Sequence, residues 1–222
     1  MSAIFNPEDY FRRYTVEEIF GAGAECEVDL GCGDGGFLLQ MARHYPERRF
    51  LGVERLLGRI RKVCRDSEKQ GLTNVKGLRA ESRYFLEWMI APGSIRRLHY
   101  LFPDPWPKAR HHKRRILQSG TLRLIASRLK PGGIFHAATD HAGYAEWIEE
   151  LRDVEPALEP IAWPWPESPM LLDRPTTKFE NRGLNLDHDI HEFVWRKRAD
   201  AADAADSADA ADPADATRED AR

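Results

Sequence analysis

The sequence has few cysteines and no long apolar run, and these absences exclude several classes of protein. Only three of its 222 residues are cysteines, Cys26, Cys32 and Cys64, and their spacing fits neither a disulfide framework nor a zinc site. No apolar stretch approaches the roughly 20 residues that a membrane-spanning helix needs. The N-terminus is charged early and lacks the apolar core of a signal peptide. We therefore expect a soluble cytoplasmic protein with reduced thiols and no membrane contact.

The residue sets of nucleophilic and metal-dependent enzymes are also missing. No Ser/His/Asp or Cys/His arrangement stands out, and the eight histidines are scattered along the chain. The adjacent pair His111 and His112 lies inside a basic run, where contact with phosphate is a better interpretation than metal binding. We expect no metal site, and the sequence contains no internal repeat.

The net charge of -3 conceals two regions of opposite character. The last stretch, residues 199–222, is rich in Ala and Asp, carries eight acids against two bases and has no large apolar side chain. It cannot bury enough apolar surface to offset the entropy of ordering, so we expect a disordered acidic tail. The remainder is mildly basic. The predicted organisation is an N-terminal helical segment at 1–24, one folded domain at 25–198 and the tail.

Apolar-rich segments of strand length alternate with segments that have helical periodicity, which predicts an α/β fold with a doubly wound, Rossmann-like sheet. The sheet should be mostly parallel, with a final antiparallel strand. The predicted strands are 26–30, 49–54, 74–80, 95–102, 134–139, a short one near residue 161, and 189–197. The predicted helices run from residue 6 or 7 to 20 and over 37–44, 56–71, 81–90, 116–129 and 142–154.

A glycine-rich turn follows the first predicted strand. Gly31, Gly33 and Gly36 match the pattern GxGxxG, in which glycines let the backbone approach a ligand closely. Glu54 ends the second strand, where a carboxylate can accept hydrogen bonds from ribose hydroxyls. Dinucleotide sites and S-adenosylmethionine (AdoMet) sites both use this layout. Asp29 favours AdoMet, because its carboxylate can hold an ammonium group and would lie poorly beside a pyrophosphate.

The most informative stretch is LFPDPWPKARHHKRR, residues 101–115, between the fourth strand and a helix. Its three prolines exclude helix and central strand and predict a stiff, extended loop. The loop presents Asp104 and Trp106 at the carboxyl end of the strand, the edge at which open α/β sheets bind ligands. A dense basic run follows. An acid and an aromatic ring beside a basic patch suit a base to be held and a phosphate backbone to be bound.

Two further segments carry candidate site residues. Asp140 ends the fifth strand at the same edge, although Asp in this position is also a common helix N-cap. The segment RPTTKFENRG, residues 174–183, concentrates polar side chains outside regular structure. Such a loop could be merely solvated or could supply polar contacts to a base.

With these motifs in order, the chain resembles the bacterial tRNA (guanine-N7)-methyltransferases from about residue 20 to residue 197. The most specific element is FPDPWPKARHHKRR, and ATDH at 138–141 and RPTTKFENRG follow in the expected order. The resemblance implies methyl transfer from AdoMet to N7 of a guanine in tRNA, position 46 of the variable loop in this family. The expected partner is tRNA. No obligate protein partner is expected, and the enzyme should act as a monomer or homodimer.

The resemblance also implies roles for individual residues. Asp104 matches the catalytic acid, and the residues matched to AdoMet contacts are Asp29, Gly31, Gly33, Glu54, Glu81 and Asp104. Many members have Glu where this chain has Asp29. The matched substrate contacts are Lys108, Asp140, Thr177, Lys178, Phe179 and Glu180. The matched RNA-binding stretch is Arg110, His111, His112, Lys113, Arg114 and Arg115.

Three other functions compete with this prediction. An adenine or cytosine amino-methyltransferase would use a similar Asp-Pro-Pro-aromatic loop after the fourth strand. A nicotinamide dehydrogenase would explain the glycine motif but neither the basic run nor RPTTKFENRG. A non-catalytic RNA-binding protein would have no need of the four acids Asp29, Glu54, Asp104 and Asp140.

Overall fold

The computed structural model describes residues 3–23, 25–162, 177, 180 and 188–199. In this part of the chain a seven-stranded sheet has the order β3-β2-β1-β4-β5-β7-β6. The strands are β1 (Cys26–Leu30), β2 (Arg49–Glu54), β3 (Val75–Arg79), β4 (Ile95–Leu101), β5 (Leu129–Thr139), β6 (Leu158–Ile161) and β7 (His191–Lys197). The first five are parallel, and β7 runs antiparallel to both of its neighbours. The predicted fold class is confirmed.

Helices cover both faces of the sheet. They are α1 (Val16–Phe20), α2 (Gly36–His44), α3 (Leu57–Lys69), α4 (Ser82–Tyr84), α5 (Ser119–Arg128) and α6 (Ala142–Glu150). A π-helical turn, Phe85–Met89, extends α4, and a 3₁₀ helix, Ala109–Arg114, precedes α5. One apolar cluster packs α2 and α3 against the β1–β3 half of the sheet, and a larger one packs α4, α5 and α6 against the other face. This arrangement leaves the carboxyl ends of the parallel strands as the place where loops gather.

The N-terminal helix predicted from residue 6 or 7 is much shorter than expected. It begins at Val16, where Thr15 and Glu18 form a capping box. Before it, Ile4 pairs in parallel with Gly77 of β3, and Tyr14 pairs with residue 90. Backbone pairing along the edge of the sheet therefore outweighs the local helical signal of this segment, because an edge strand offers unpaired N–H and C=O groups.

The predicted helix 116–129 also begins late. Ile116 and Leu117 precede α5, and the basic run belongs to the separate 3₁₀ helix. At the carboxyl end of this predicted helix, Pro131-Gly-Gly133 lies between the predicted helix 116–129 and the predicted strand 134–139. The structure instead starts β5 at Leu129, which pairs with Ile95 across a register irregularity. Because β5 begins at Leu129, the segment Pro131-Gly-Gly133 is part of the strand.

The tightly packed position of the glycine turn is Gly35, which lies next to Gly36, the third glycine of the GxGxxG pattern. Gly35 has φ +77°, and a Cβ atom on it would lie 2.7 Å from Cγ2 of the buried Val63. Gly36 is the first residue of α2, and a Cβ atom there would meet no atom within 4 Å. The close packing of this turn against α3 therefore depends on Gly35.

Substituting these two neighbouring glycines should have very different effects. We expect Gly35→Ala to lower the free energy of unfolding by roughly 2–4 kcal/mol, through left-handed backbone strain and overpacking against Val63. Gly36→Ala should change it by less than about 0.5 kcal/mol, because alanine suits a helix. Urea unfolding followed by circular dichroism measures both. Equal losses in the two variants would contradict the assignment of Gly35.

A buried ionic cluster crosses the sheet beneath the loops. Glu27 on β1 is 1% exposed and binds Arg97 of β4 at 2.9 Å, Arg48 at 3.0 Å and Nε2 of His99 at 3.3 Å. The other ring nitrogen of His99 lies 3.2 Å from Nδ1 of His136 on β5. The network therefore links three adjacent strands through charged side chains inside the core.

Candidate functional site

Acidic side chains gather where the parallel strands end. Asp29 and Glu54 lie at the carboxyl ends of the neighbouring strands β1 and β2, and Glu81 follows β3. Asp104 follows β4, and Asp140 follows β5. The sheet therefore brings all five predicted acids to one edge, as parallel pairing requires.

Asp29 is a buried carboxyl, only 5% exposed. Burial and then the charge of Glu54 raise its pKa to about 7. A carboxylate that is costly to ionise in the free protein is stabilised by a cation placed beside it. The site therefore favours a ligand that carries positive charge, such as the ammonium group of AdoMet.

The glycine turn leaves its backbone open beside Asp29. The N–H groups of Gly31 and Cys32 both donate to the carbonyl of Val53 on β2, at 2.8 and 3.0 Å, which fixes the turn to the sheet. A Cβ atom on Gly31, which has φ +78°, would meet no protein atom within 4 Å, and one on Gly33 would only approach Arg59 at 3.9 Å. A ligand can therefore reach the main chain at both predicted glycines.

Glu54 is held in place by the chain that follows it. One of its oxygens accepts from the N–H of Leu56 at 2.9 Å, and the other lies 3.4 Å from the guanidinium of Arg59. Glu54 is 7% exposed. An oriented carboxylate at the end of β2 suits hydrogen bonds from the hydroxyls of a ribose.

Sequence reasoning missed Tyr100, a buried tyrosine within electrostatic range of Glu81 and Asp104. Tyr100 on β4 is 6% exposed; burial, the neighbouring Tyr144 and the charges of Asp104 and Glu81 raise its pKa well above the usual range. In the sequence Tyr100 is indistinguishable from the apolar core residues of its strand. Glu81 also accepts from the N–H of Tyr84 at 2.8 Å and so caps α4.

The loop that carries Asp104 has an unusual backbone. Phe102 and Trp106, which lie two residues before and two residues after Asp104, have φ values of +50° and +43°. Non-glycine residues in this region cost of order 1–3 kcal/mol each and persist where the surroundings hold them. Phe102 is held by its N–H bond to the carbonyl of Ala138, 2.8 Å. The exposed Asp104 is thus presented by a constrained loop.

The residues of the predicted RNA-binding stretch differ in how exposed they are. Arg110, Lys113 and Arg114 are exposed on the 3₁₀ helix, and Lys108 just before it is exposed as well. The two histidines of the stretch are half-buried, each against an indole: His111 lies 5.8 Å from the ring of Trp106, and His112 lies 5.8 Å from that of Trp147. The exposed cations form a basic surface directly after the Asp104 loop.

Arg115 was predicted to contact RNA, but the structure places it in the interior. It is 3% exposed, and its Nε donates to the carbonyl of Pro105 at 3.0 Å. Its guanidinium lies over the rings of Tyr144 and Trp147 on α6, at 4.9 and 5.3 Å. The basic run that was predicted to bind RNA thus includes one cation that faces the interior. No local pattern distinguishes this residue from its neighbours.

Asp140 does not cap α6, since His141 occupies the N-cap position. The Asp140 carboxylate instead lies 3.4 Å from Nδ1 of His188, in the segment that leads into β7. Thr177 and Glu180 bond each other reciprocally, Glu180 through its N–H to the Thr177 hydroxyl at 2.9 Å and Thr177 through its N–H to the carboxylate at 3.1 Å. The predicted substrate residues Lys178 and Phe179 lie outside the described residues.

Among the described residues no group of three or more His, Cys, Asp or Glu could hold a metal ion. The three cysteines are all buried and free. None of the helices in the described ranges is long and apolar enough to cross a membrane.

Solved structures share the fold of this chain. The 16S rRNA methyltransferase KamB has a TM-score of 0.62 and 17% identity, with 84% of this chain and 95% of KamB covered. The antibiotic-resistance methyltransferase Kmr has a TM-score of 0.56 and 20% identity, covering 82% and 91%. The strand order and the acidic edge with its open glycine turn define a class I AdoMet-dependent methyltransferase.

Sequence relatives specify the family. Residues 24–193 match the family model described as "Putative methyltransferase". The tRNA (guanine-N(7)-)-methyltransferase of Corynebacterium efficiens is 46% identical over 185 residues, covering 82% of this chain and 73% of the relative. That of Corynebacterium diphtheriae is 47% identical over 189 residues, covering 84% and 73%. This chain belongs to the tRNA (guanine-N(7)-)-methyltransferase family.

Proposed function

We propose that this protein methylates N7 of a guanine in tRNA, the variable-loop guanine at position 46. The observation that carries the proposal is the position of Asp104, which a constrained loop presents at the carboxyl edge of the sheet, directly before a basic 3₁₀ helix. A carboxylate at the reacting ring and cations for the phosphate backbone are what an RNA base methyltransferase needs.

The AdoMet contacts follow from the geometry of the edge. When bound, AdoMet supplies an electrophilic methyl group. Asp29 would hold its ammonium group, and Glu54 would accept from its ribose hydroxyls. The backbone at Gly31 and Gly33 would lie against the ligand, and Glu81 and Asp104 would supply further contacts.

The chemistry at the base requires no proton to be removed. N7 of guanine carries a lone pair and no hydrogen, so it would attack the methyl group directly while the sulfur–methyl bond breaks and its electron pair passes to the sulfonium sulfur. The purine then gains positive charge, and a fixed carboxylate at Asp104 stabilises that charge. The protein contributes mainly position and electrostatics.

We assign guanine recognition to Asp140, which follows β5, and to Glu180. Asp140 and Glu180 can accept hydrogen bonds from N1–H and the exocyclic amine, a pattern that adenine does not present. Lys108, Thr177, Lys178 and Phe179 are proposed as further substrate contacts. The target base must be unstacked to enter this edge.

The exposed basic surface would bind the tRNA backbone. Its exposed cations are Arg110, Lys113 and Arg114, and the half-buried His111 and His112 lie between them in the sequence. Contacts of this kind position an RNA without reading its sequence. Binding should therefore weaken steeply with salt.

Methyl transfer from labelled AdoMet to an unmodified tRNA transcript tests the proposal. The product is mapped by chain cleavage specific for 7-methylguanine. Cleavage at the variable-loop guanine supports the proposal. Label on an exocyclic amine would instead identify an amino-methyltransferase, in which Asp104 accepts a hydrogen bond from that amine.

The raised pKa of Asp29 predicts that AdoMet binds more weakly in acid. The carboxylate fraction of a group with a pKa of about 7 rises between pH 6 and pH 7.5, so the affinity for AdoMet should rise roughly eightfold over this range. The amino group of AdoMet stays mostly charged there, because α-amino groups titrate near 7.7–8.0. Isothermal titration calorimetry at several pH values measures the effect.

Asp29→Asn is the matched control, since it keeps the shape and removes the titrating group. The variant should bind AdoMet weakly, with an affinity that is nearly constant between pH 6 and pH 7.5. If Asp29→Asn retains the slope of the wild type, another group controls the pH dependence.

A further inference from the structure

Arg115 has the surroundings of a structural side chain, although it follows a run of exposed cations. Lys113 and Arg114 are exposed, whereas Arg115 is 3% exposed. No carboxylate among the described residues forms an ion pair with it. Its guanidinium is bounded by the two aromatic rings of α6 and by the Pro105 carbonyl. A phosphate group of RNA could not reach it without opening this packing.

The hydrogen bond to Pro105 acts on the loop that carries Asp104. Pro105 is the residue directly after Asp104, and the prolines at 103, 105 and 107 remove three backbone donors from this loop. The loop therefore depends on partners outside itself. Arg115 supplies one through a 3.0 Å bond at the peptide between Pro105 and Trp106, next to the positive φ of Trp106.

On the side away from Pro105, the guanidinium of Arg115 packs on two aromatic rings of α6. Tyr144 is fully buried on α6. Trp147 donates from its indole N–H to the carbonyl of Leu117 at 2.8 Å, which ties α6 to the chain just after Arg115. The guanidinium thus lies between α6 and the Asp104 loop, and a cation over aromatic faces is held more strongly in a desolvated place than at an exposed one.

From these contacts we infer that Arg115 is a positioning residue for Asp104: it fixes the Pro105 carbonyl against α6 and so holds the carboxylate in place for methyl transfer, without contacting the RNA. It also ends the 3₁₀ helix, since its N–H donates to the carbonyl of His112 at 2.9 Å. The 3₁₀ helix of the basic surface and the loop of Asp104 are therefore joined at one residue. The inference rests on the role proposed above for Asp104.

The test separates positioning from RNA binding through kcat and the dissociation constant for tRNA. Arg115→Met keeps the apolar stem of the side chain and removes the guanidinium with its Nε donor. We expect kcat per folded molecule, at saturating AdoMet and tRNA, to fall about 30- to 100-fold. The dissociation constants for tRNA and AdoMet should stay within about threefold, with an unchanged salt dependence of tRNA binding.

Lys113→Met is the matched control for a phosphate contact. It should weaken tRNA binding and lower the slope of log affinity against log salt by about one. If Arg115→Met behaves like Lys113→Met, with weaker tRNA binding and unchanged kcat, the inference is wrong. A kcat within threefold of the wild type also overturns it.

Thermal unfolding shows whether Arg115→Met is folded, so that a loss of kcat through misfolding is recognised. If Arg115→Met does not fold, Arg115→Lys is measured in the same way, because lysine retains the charge but lacks the planar fork. The same loss of kcat with unchanged tRNA binding supports positioning, and weaker tRNA binding with normal kcat excludes it. Failure of the proposed function would look different, since the wild type itself would then form no 7-methylguanine in tRNA.

Discussion

We expect Asp104→Ala to lower kcat for tRNA methylation by about 100- to 1,000-fold, the loss typical when one preorganised electrostatic group is removed. The purine becomes positively charged as its N7 is methylated, and we place Asp104 beside that ring. Because no proton leaves N7, the loss measures charge stabilisation and positioning. Single-turnover rates at saturating AdoMet and tRNA give this value directly.

Two further variants separate charge from shape. Asp104→Asn preserves the volume and the hydrogen-bonding oxygen but removes the charge, so it should be nearly as slow as the alanine variant. Glu47→Gln, which changes an acid that is 64% exposed elsewhere on the surface, should keep the wild-type rate. A rate for Asp104→Ala within about threefold of the wild type, roughly 0.6 kcal/mol, would refute the catalytic assignment.

The largest expected effect on stability comes from Glu27. We expect Glu27→Ala to lower the free energy of unfolding by about 3–5 kcal/mol, since it leaves buried cationic groups without their counter-charge. Arg97 is 5% exposed and would lose its 2.9 Å partner, and its Nε already has no hydrogen-bond partner among the described residues. Urea unfolding at neutral pH measures the loss.

A nearby glutamate provides the control. Glu25 lies two residues earlier, is exposed, and pairs with Arg96 at 3.7 Å. Glu25→Ala should cost less than about 1 kcal/mol, as exposed ion pairs do. Equal losses for Glu25→Ala and Glu27→Ala would show that burial of the network contributes nothing.

The same network predicts how stability varies with pH. Burial alone would raise the pKa of Glu27, but the hydrogen bond from His99 and the charges of His99, Arg97 and Arg48 outweigh it, so the pKa is lowered. A carboxyl with a depressed pKa stabilises the fold above its unfolded pKa, about 4.3 for Glu, and the effect is lost as the pH falls through the folded value. The advantage of the wild type over Glu27→Gln should therefore shrink below about pH 4.

The course of the sheet was predictable because its signals are local. Each strand is a short apolar-rich run, and the prolines and glycines that end it act within a few residues. Parallel pairing then brings the residues after each strand to one edge, so the positions of Asp29, Glu54, Asp104 and Asp140 followed without a structure. The N-terminal helix was overestimated because the pairing of Ile4 with Gly77 joins residues far apart in sequence.

By itself, the sequence determined the fold class, the ligand edge and the family, because hydrophobic period, turn residues and contiguous motifs are read along the chain. Only the tertiary structure decided which members of a motif face which surroundings. It turned Arg115 inward, made Gly35 rather than Gly36 the tight position, and buried Tyr100 within electrostatic range of two acids. It also joined Glu27 to partners 21 to 72 residues away. The physical reason is that burial and charge pairing depend on what the fold brings near a side chain, and those neighbours are remote in sequence.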